Sequence, residues 1–243
     1  MAPVNILETR GLSKSYGGVR ANHNIDFSLP EGKITALIGP NGAGKSTFVG
    51  MLCGRIEASE GKVLFEGNDI SHLPAHKRIG LGIAYTFQIT SIFAGLSVEM
   101  NVELAARQLK ARTKKAVKLK VTEVLDRIGL ADRREQTAGD LSYGHQRMLE
   151  IAMGLAQEPK LFILDEPTQG LAESEIQNFV ILMKSLSKHT TILLIEHNMD
   201  VVMQTADHIA VLNFGELLAE GTPKEIHENE AVQNAYLGTT ENA

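Results

Sequence analysis

A chain of 243 residues, 43% hydrophobic and 22% charged, can bury one large core or two modest ones. No run reaches the roughly 18–20 apolar residues of a membrane span. A formal net charge of −5 argues against a general nucleic-acid binder, so no nucleic acid is expected as a partner. The opening Met-Ala-Pro-Val-Asn shows no export leader, and the single Cys53 excludes an internal disulfide and fits a reducing compartment. The expectation is a soluble cytosolic protein.

Residues 4–30 read as strands, with Ile25, Phe27 and Leu29 alternating with polar neighbours. Pro30-Glu-Gly32 turns into Ile34–Ile38, apolar on nearly every residue as expected of a strand covered on both faces. Then comes Gly39-Pro40-Asn41-Gly42-Ala43-Gly44-Lys45-Ser46-Thr47, which is the phosphate-binding pattern G-x-x-x-x-G-K-[ST]. A helical stretch, Ser46 to Leu52, follows, completing the strand–loop–helix context that the pattern requires. Glycines let backbone N–H groups approach phosphate oxygens, and the helix start adds partial positive charge. Lys45 would reach the β- and γ-phosphates, and the Ser46 hydroxyl would ligate Mg²⁺.

Gly61 to Asn68 reads as a further strand, and Gly80 to Phe87 leads to Gln88 at a strand end. Ser97 to Arg107 turns helical, and Val121 to Ile128 continues so, with Val121, Val124, Leu125 and Ile128 on one stripe. From Arg107 to Lys120 there are seven basic residues and no acidic one, read as a solvated helix face or as a surface for an acidic partner or lipid headgroups. A helix is expected from Ser142 to about Gln157, ended by Glu158-Pro159. Leu161–Leu164 and Thr191–Ile195 are buried strands, and Ile176 to Lys188 is an amphipathic helix between them. His208–Asn213 and Glu216–Glu220 form a hairpin, and Thr222-Pro-Lys-Glu225 is a capping box opening a short helix. The pattern predicts a mainly parallel α/β core with a β-rich N-terminal edge and an inserted helical block.

Two strand ends carry acids and a base. Asp165 and Glu166 follow Leu161–Leu164, and Glu196-His197 follows Thr191–Ile195. Strand ends at one edge of a parallel sheet converge on the ligand crevice. Asp165 is therefore the candidate to hold Mg²⁺ or its waters, and Glu166 the candidate general base. His197 is placed to contact the γ-phosphate and the attacking water.

Leu141-Ser-Tyr-Gly-His-Gln-Arg147 resembles the ABC-ATPase signature, usually written LSGGQ. With the phosphate loop, Gln88, Asp165-Glu166-Pro167 and His197 in that order, the chain resembles ABC transporter nucleotide-binding subunits over about Leu7 to Gly238. The resemblance implies a P-loop (RecA-like), mainly parallel sheet core with an N-terminal antiparallel β-subdomain. It implies one ATPase domain, residues 4–238, with the core in 4–88 and 159–238, a helical signature subdomain in 89–158 and a loose tail at 239–243. By the same resemblance Tyr16 stacks on adenine, and Gln88 senses Mg²⁺ and water. Ser142, Gly144 and His145 bind the γ-phosphate of ATP held by the opposite subunit.

Two departures stand out: Tyr143 and His145 replace the usual glycine and glutamine, and Ala172 replaces an aspartate after Pro167, with Glu173 beside it. The tyrosine-bearing signature, Ile195–Asp200 and Ala235-Tyr-Leu-Gly238 resemble the ATPases of branched-chain amino acid importers. Urea and amide importers share much of this pattern, and the lipopolysaccharide exporter ATPase is a more distant relative. The implied cofactors are ATP and Mg²⁺. The implied partners are transmembrane permease subunits, a second ATPase subunit (itself or a sister protein) and, indirectly, a substrate-binding protein, with the chain at the cytoplasmic face of the membrane.

Overall fold

The computed structural model describes residues 4–86, 91–107 and 113–237. In chain order these form β1 (Asn5–Tyr16), β2 (Val19–Pro30), β3 (Ile34–Ile38), α1 (Lys45–Leu52), β4 (Glu60–Phe65), β5 (Asn68–Asp69), α2 (Ala75–Leu81) and β6 (Ile83–Tyr85). Then follow α3 (Val98–Ala106), α4 (Lys114–Arg127), α5 (Tyr143–Leu155), β7 (Leu161–Asp165), α6 (Glu173–Leu186), β8 (Thr191–Ile195) and α7 (Met199–Thr205). The chain closes with β9 (His208–Asn213), β10 (Glu216–Gly221), α8 (Pro223–His227) and α9 (Glu230–Leu237).

Two sheets result. An antiparallel sheet has the order β2-β1-β4-β5, and a six-stranded sheet has the order β10-β9-β3-β8-β7-β6. In the second sheet β9, β3, β8, β7 and β6 run parallel, and β10 returns antiparallel along the edge. Strands β3, β7 and β8 are buried at every position because both faces are covered. Phe162, Leu164, Ile192 and Leu194 point to one side, into a core shared with α3, α4, α5 and α6. Leu161, Ile163, Leu193 and Ile195 point to the other, toward α1 and the antiparallel sheet, where Phe27 meets Phe48 edge-on at 5.6 Å. A third cluster, around Val202, Ile209, Val211 and Ile226, seats the last helices.

The helix starts follow local chemistry. Ser97, Thr113, Ser142 and Asn198 each accept a backbone N–H at the head of α3, α4, α5 and α7. Thr222 and Glu225 close the expected box with Pro223 at the first position. Several elements depart from the sequence reading. Gly80 lies in α2, so the strand before Gln88 is only Ile83–Tyr85. The turn at Glu66-Gly67 splits the expected Gly61–Asn68 strand into β4 and β5. Helices α7 and α9 also form, and α6 begins at Glu173.

Candidate active site

The loop from Gly39 to Lys45 joins β3 to α1. At Gly39 a Cβ would run into the Leu212 carbonyl, and at Gly44, with φ 94°, it would lie 2.6 Å from the Asn22 amide nitrogen. Neither position has room for a side chain, so the loop backbone lies close against β2 and β9. Buried Lys45 donates its Nζ to the Gly39 carbonyl at 2.6 Å and the Pro40 carbonyl at 3.0 Å. An ammonium has three donors, so one remains for an incoming oxygen. Burial pulls the Lys45 pKa down, and the charges of Glu166 and Asp165 pull it back up. At the far end of α1, Arg78 donates to the Met51 and Leu52 carbonyls at 2.8 Å each, fixing the helix that carries the loop. From the C-terminal helix, the hydroxyl of half-buried Tyr236 meets the Gly39 backbone; desolvation pushes that phenol up to about 12.

The loop floors a cleft of roughly 540 Å³. Asn41 to Thr47 line it, Glu166 and His197 face it, and Val19, Arg20 and Phe214 border it. His197 Nε2 lies 2.7 Å from Glu166 Oε1. Glu166 holds φ 47°, an uncommon conformation for a side-chain-bearing residue, while its N–H bonds the Ile195 carbonyl at 2.9 Å. The strand-to-strand bond thus fixes the glutamate beside the histidine. Asp165, buried at the end of β7, accepts the Tyr85 hydroxyl at 2.7 Å. Burial raises its pKa, the Tyr85 hydrogen bond opposes that, and the Glu166 charge adds to the rise. Its carboxylate and the Ser46 hydroxyl are hard oxygen donors that suit Mg²⁺ held by few protein groups plus phosphate and water. Among the described residues no three His, Cys, Asp or Glu side chains gather to cage a metal alone.

The fold brings together Asn41, Gly42, Ala43, Gly44, Lys45, Ser46, Thr47, Glu166 and His197 in one cleft. Tyr16 ends β1 opposite Val19, with Lys14 Nζ 5.1 Å from its ring centre; its neighbour Val19, not Tyr16, borders the cleft. Ser142, Gly144 and His145 lie apart, at the start of α5, beside a different hollow between α5 and α6. Gln88 falls outside the described residues. Ala172 caps α6 without a side-chain bond, and Glu175 reaches back to its N–H at 2.9 Å.

Residue patterns had not singled out three supports. Tyr85 steadies Asp165. Fully buried Arg147 donates to the Asp165 carbonyl at 3.2 Å and the Glu166 carbonyl at 3.0 Å, tying α5 to the site. Glu196 accepts the Thr168 hydroxyl at 2.6 Å and the His197 N–H at 3.1 Å, clamping the two strand ends together. Arg147 stood inside the signature-like run and Glu196 beside His197, which was the only signal available.

A glycine cradle with a buried lysine, facing a carboxylate–imidazole pair at the strand ends of a parallel sheet, defines a P-loop nucleotide-binding protein. A family model described as ABC transporter matches residues 22–169, and one described as branched-chain amino acid ATP-binding cassette transporter matches 216–242. The chain is 36% identical to the high-affinity branched-chain amino acid transport ATP-binding protein BraF of Pseudomonas aeruginosa, over 96% of this chain and 98% of that one. It is also 36% identical, with the same coverage, to LivG of Escherichia coli, which carries the same description. The ADP conformation of MJ1267, an ATP-binding cassette of an ABC transporter, superposes with a TM-score of 0.85 at 28% identity, covering 96% of this chain and 99% of that one. The chain therefore belongs to the ABC transporter ATP-binding family. It binds nucleotide and hydrolyses ATP, and that hydrolysis is coupled to transport.

Proposed function

We propose that the protein powers an importer of branched-chain amino acids from the cytoplasmic face of the membrane, as one of two ATPase subunits bound to a permease. The observation that carries the ATPase chemistry is the 2.7 Å pair of Glu166 and His197 in the cleft that holds Lys45. The C-terminal family match and the descriptions of BraF and LivG support the cargo.

In this reading residues 4–238 form one ATPase unit, its core in 4–88 and 159–238 and its signature block in 89–158. Gly39 to Gly44 cradle the phosphates with backbone N–H groups, Lys45 bonds the outer ones, Thr47 flanks them, and Tyr16 takes the base. Ser46, Asp165 and Gln88 would hold Mg²⁺, which neutralises phosphate charge when bound. Glu166 takes the proton of a water directed at the γ-phosphate, and His197 holds that carboxylate and the phosphate edge in register. Ser142, Gly144 and His145 close the site of the second subunit. Among the described residues no helix is long and apolar enough to cross a membrane, so a partner supplies the crossing. Exposed Phe93, Met100 and Leu104, in the segment after Gln88, supply an apolar surface for the permease.

Glu166→Gln keeps ATP binding and lowers turnover by about a hundredfold or more. Unchanged turnover would remove Glu166 from the chemistry. In vesicles with permease and binding protein, leucine, isoleucine or valine stimulates ATPase activity. Stimulation by an amide such as urea and none by these three would replace the cargo.

A further inference from the structure

The serine at the head of α5 does not stand free. Ser142 Oγ accepts the His145 backbone N–H at 3.3 Å, the N-cap bond, and lies 2.7 Å from His145 Nδ1. A serine hydroxyl has a single proton and two lone pairs. If Nδ1 is bare, the hydroxyl must donate to it, and its proton is then committed inside the subunit. If Nδ1 carries a proton, the direction reverses: Nδ1–H donates to Oγ, and the hydroxyl proton is free to point outward. Ser142 is exposed and His145 half-buried, so both faces of this pair can respond to solvent and to a ligand.

We propose that His145 is a positioning residue that decides whether Ser142 can donate a hydrogen bond to a phosphate oxygen presented by a second copy of the chain. The inference rests on the two-subunit reading above and concerns the one signature position where this chain carries an imidazole. Glutamine has no protonation change near neutral pH, so at this position its bond to the serine would not change with pH. Imidazole changes charge between pH 5 and 8. The imidazolium is a donor at both nitrogens and releases the serine proton. The neutral ring must first adopt the Nδ1–H form, which costs part of one hydrogen bond. Closure of the two subunits is therefore tighter when the ring carries a proton on both nitrogens than when Nδ1 is bare.

The charged and titratable groups around the pair come from three helices. On α5 they are Tyr143 and Arg147, the latter turned into the core toward Glu150, Asp165 and Glu166. Glu175 of α6 and Arg127 of α4 line the same hollow as His145, one of each sign. The Glu175 carboxylate is also engaged with the Ala172 N–H at 2.9 Å, and the Arg127 guanidinium with the Ser185 carbonyl at 3.2 Å. Neither touches the Ser142 hydroxyl. A Cβ on Gly144 would run into Glu175, so the first turn of α5 is pressed against α6 and the pair is held in place.

The test uses the full chain carrying Glu166→Gln, so that ATP is bound and not consumed. ATP-dependent association is measured by sedimentation from pH 6 to pH 8.5, with and without His145→Gln, and with Ser142→Ala. Association of the His145 protein is expected to weaken about three- to tenfold across that range, the worth of one ordinary hydrogen bond. The dependence is expected to flatten in both His145→Gln and Ser142→Ala. Nitrogen NMR of the His145 ring, which reads the Nδ1 state directly, is expected to shift on ATP-driven association in the Ser142 protein and not in Ser142→Ala. Association with the same pH dependence in His145→Gln overturns this inference and leaves the two-subunit reading intact. Absence of ATP-driven association at every pH, in chains that still bind a fluorescent ATP analogue, overturns both.

Discussion

Asp165 keeps its carboxyl buried at the end of a strand, and that position works against folding. Burial lifts its pKa above the ordinary 3.8, and neighbouring Glu166 adds to the rise. A carboxyl with a raised folded pKa favours the native state only while protonated. Its contribution is fully present below the unfolded pKa and is lost as pH rises through the folded one. Without nucleotide or Mg²⁺, Asp165→Asn should therefore melt higher than the parent at pH 7, and the gap should close as pH falls toward about 4. The amide can still accept the Tyr85 hydroxyl. The same variant should lose ATP turnover, because a neutral amide is a poor Mg²⁺ ligand. Thermal melts across pH check the first outcome and phosphate release the second; a variant that melts lower at pH 7 would mean that the carboxylate holds the fold. The places of Asp165, Glu166 and His197 at strand ends could be read from sequence because each follows an apolar strand. Their supports could not. Tyr85 lies 80 residues from the carboxylate it steadies, and the pairing depends on β6 lying beside β7.

Helix α5 connects the serine that opens it, the arginine that grips the strand ends of the cleft and the core beneath. It packs on the sheet through Gly154, where a Cβ would overlap the ring of fully buried Phe162. Alanine there gains up to about 1 kcal/mol of helix propensity, but overpacking a full core costs about 1–3 kcal/mol. Because the ring sits in a central strand with little freedom to retreat, the packing cost should win. Gly154→Ala should lower the melting temperature by about 2–8 °C. An unchanged or raised melting point would show that α5 can slide on the sheet. Long elements with a clear period, such as α5 and α6, were legible. Three short helices were not: α2, α7 and α9 have seven or eight residues each and hold their places by tertiary contact. For α2 this is Arg78 under α1, and for α9 it is Tyr236 against Gly39. A bond to a distant loop leaves no trace in local periodicity.

At the scale of the molecule, the central sheet separates two cores, and its strand ends support a cleft that has a glycine loop with Lys45, a carboxylate–imidazole pair and no signature residues. Ser142, Gly144 and His145 sit elsewhere on the surface, at the head of α5. If the signature of a second copy completes each cleft, mass action makes activity depend on association. In dilute solution the fraction of paired chains is proportional to total concentration, so activity per chain should rise linearly with it. A tenfold dilution should then cost about tenfold in specific activity, at concentrations well below the dissociation constant of the pair and at saturating ATP·Mg²⁺. At high concentration the specific activity should level off. Binding to a permease should abolish the dependence, because two sites on one scaffold hold the pair at a high effective concentration. Phosphate release measured over three decades of protein concentration, with and without permease vesicles, tests this. Constant specific activity down to the most dilute sample would mean that a single chain completes its own cleft.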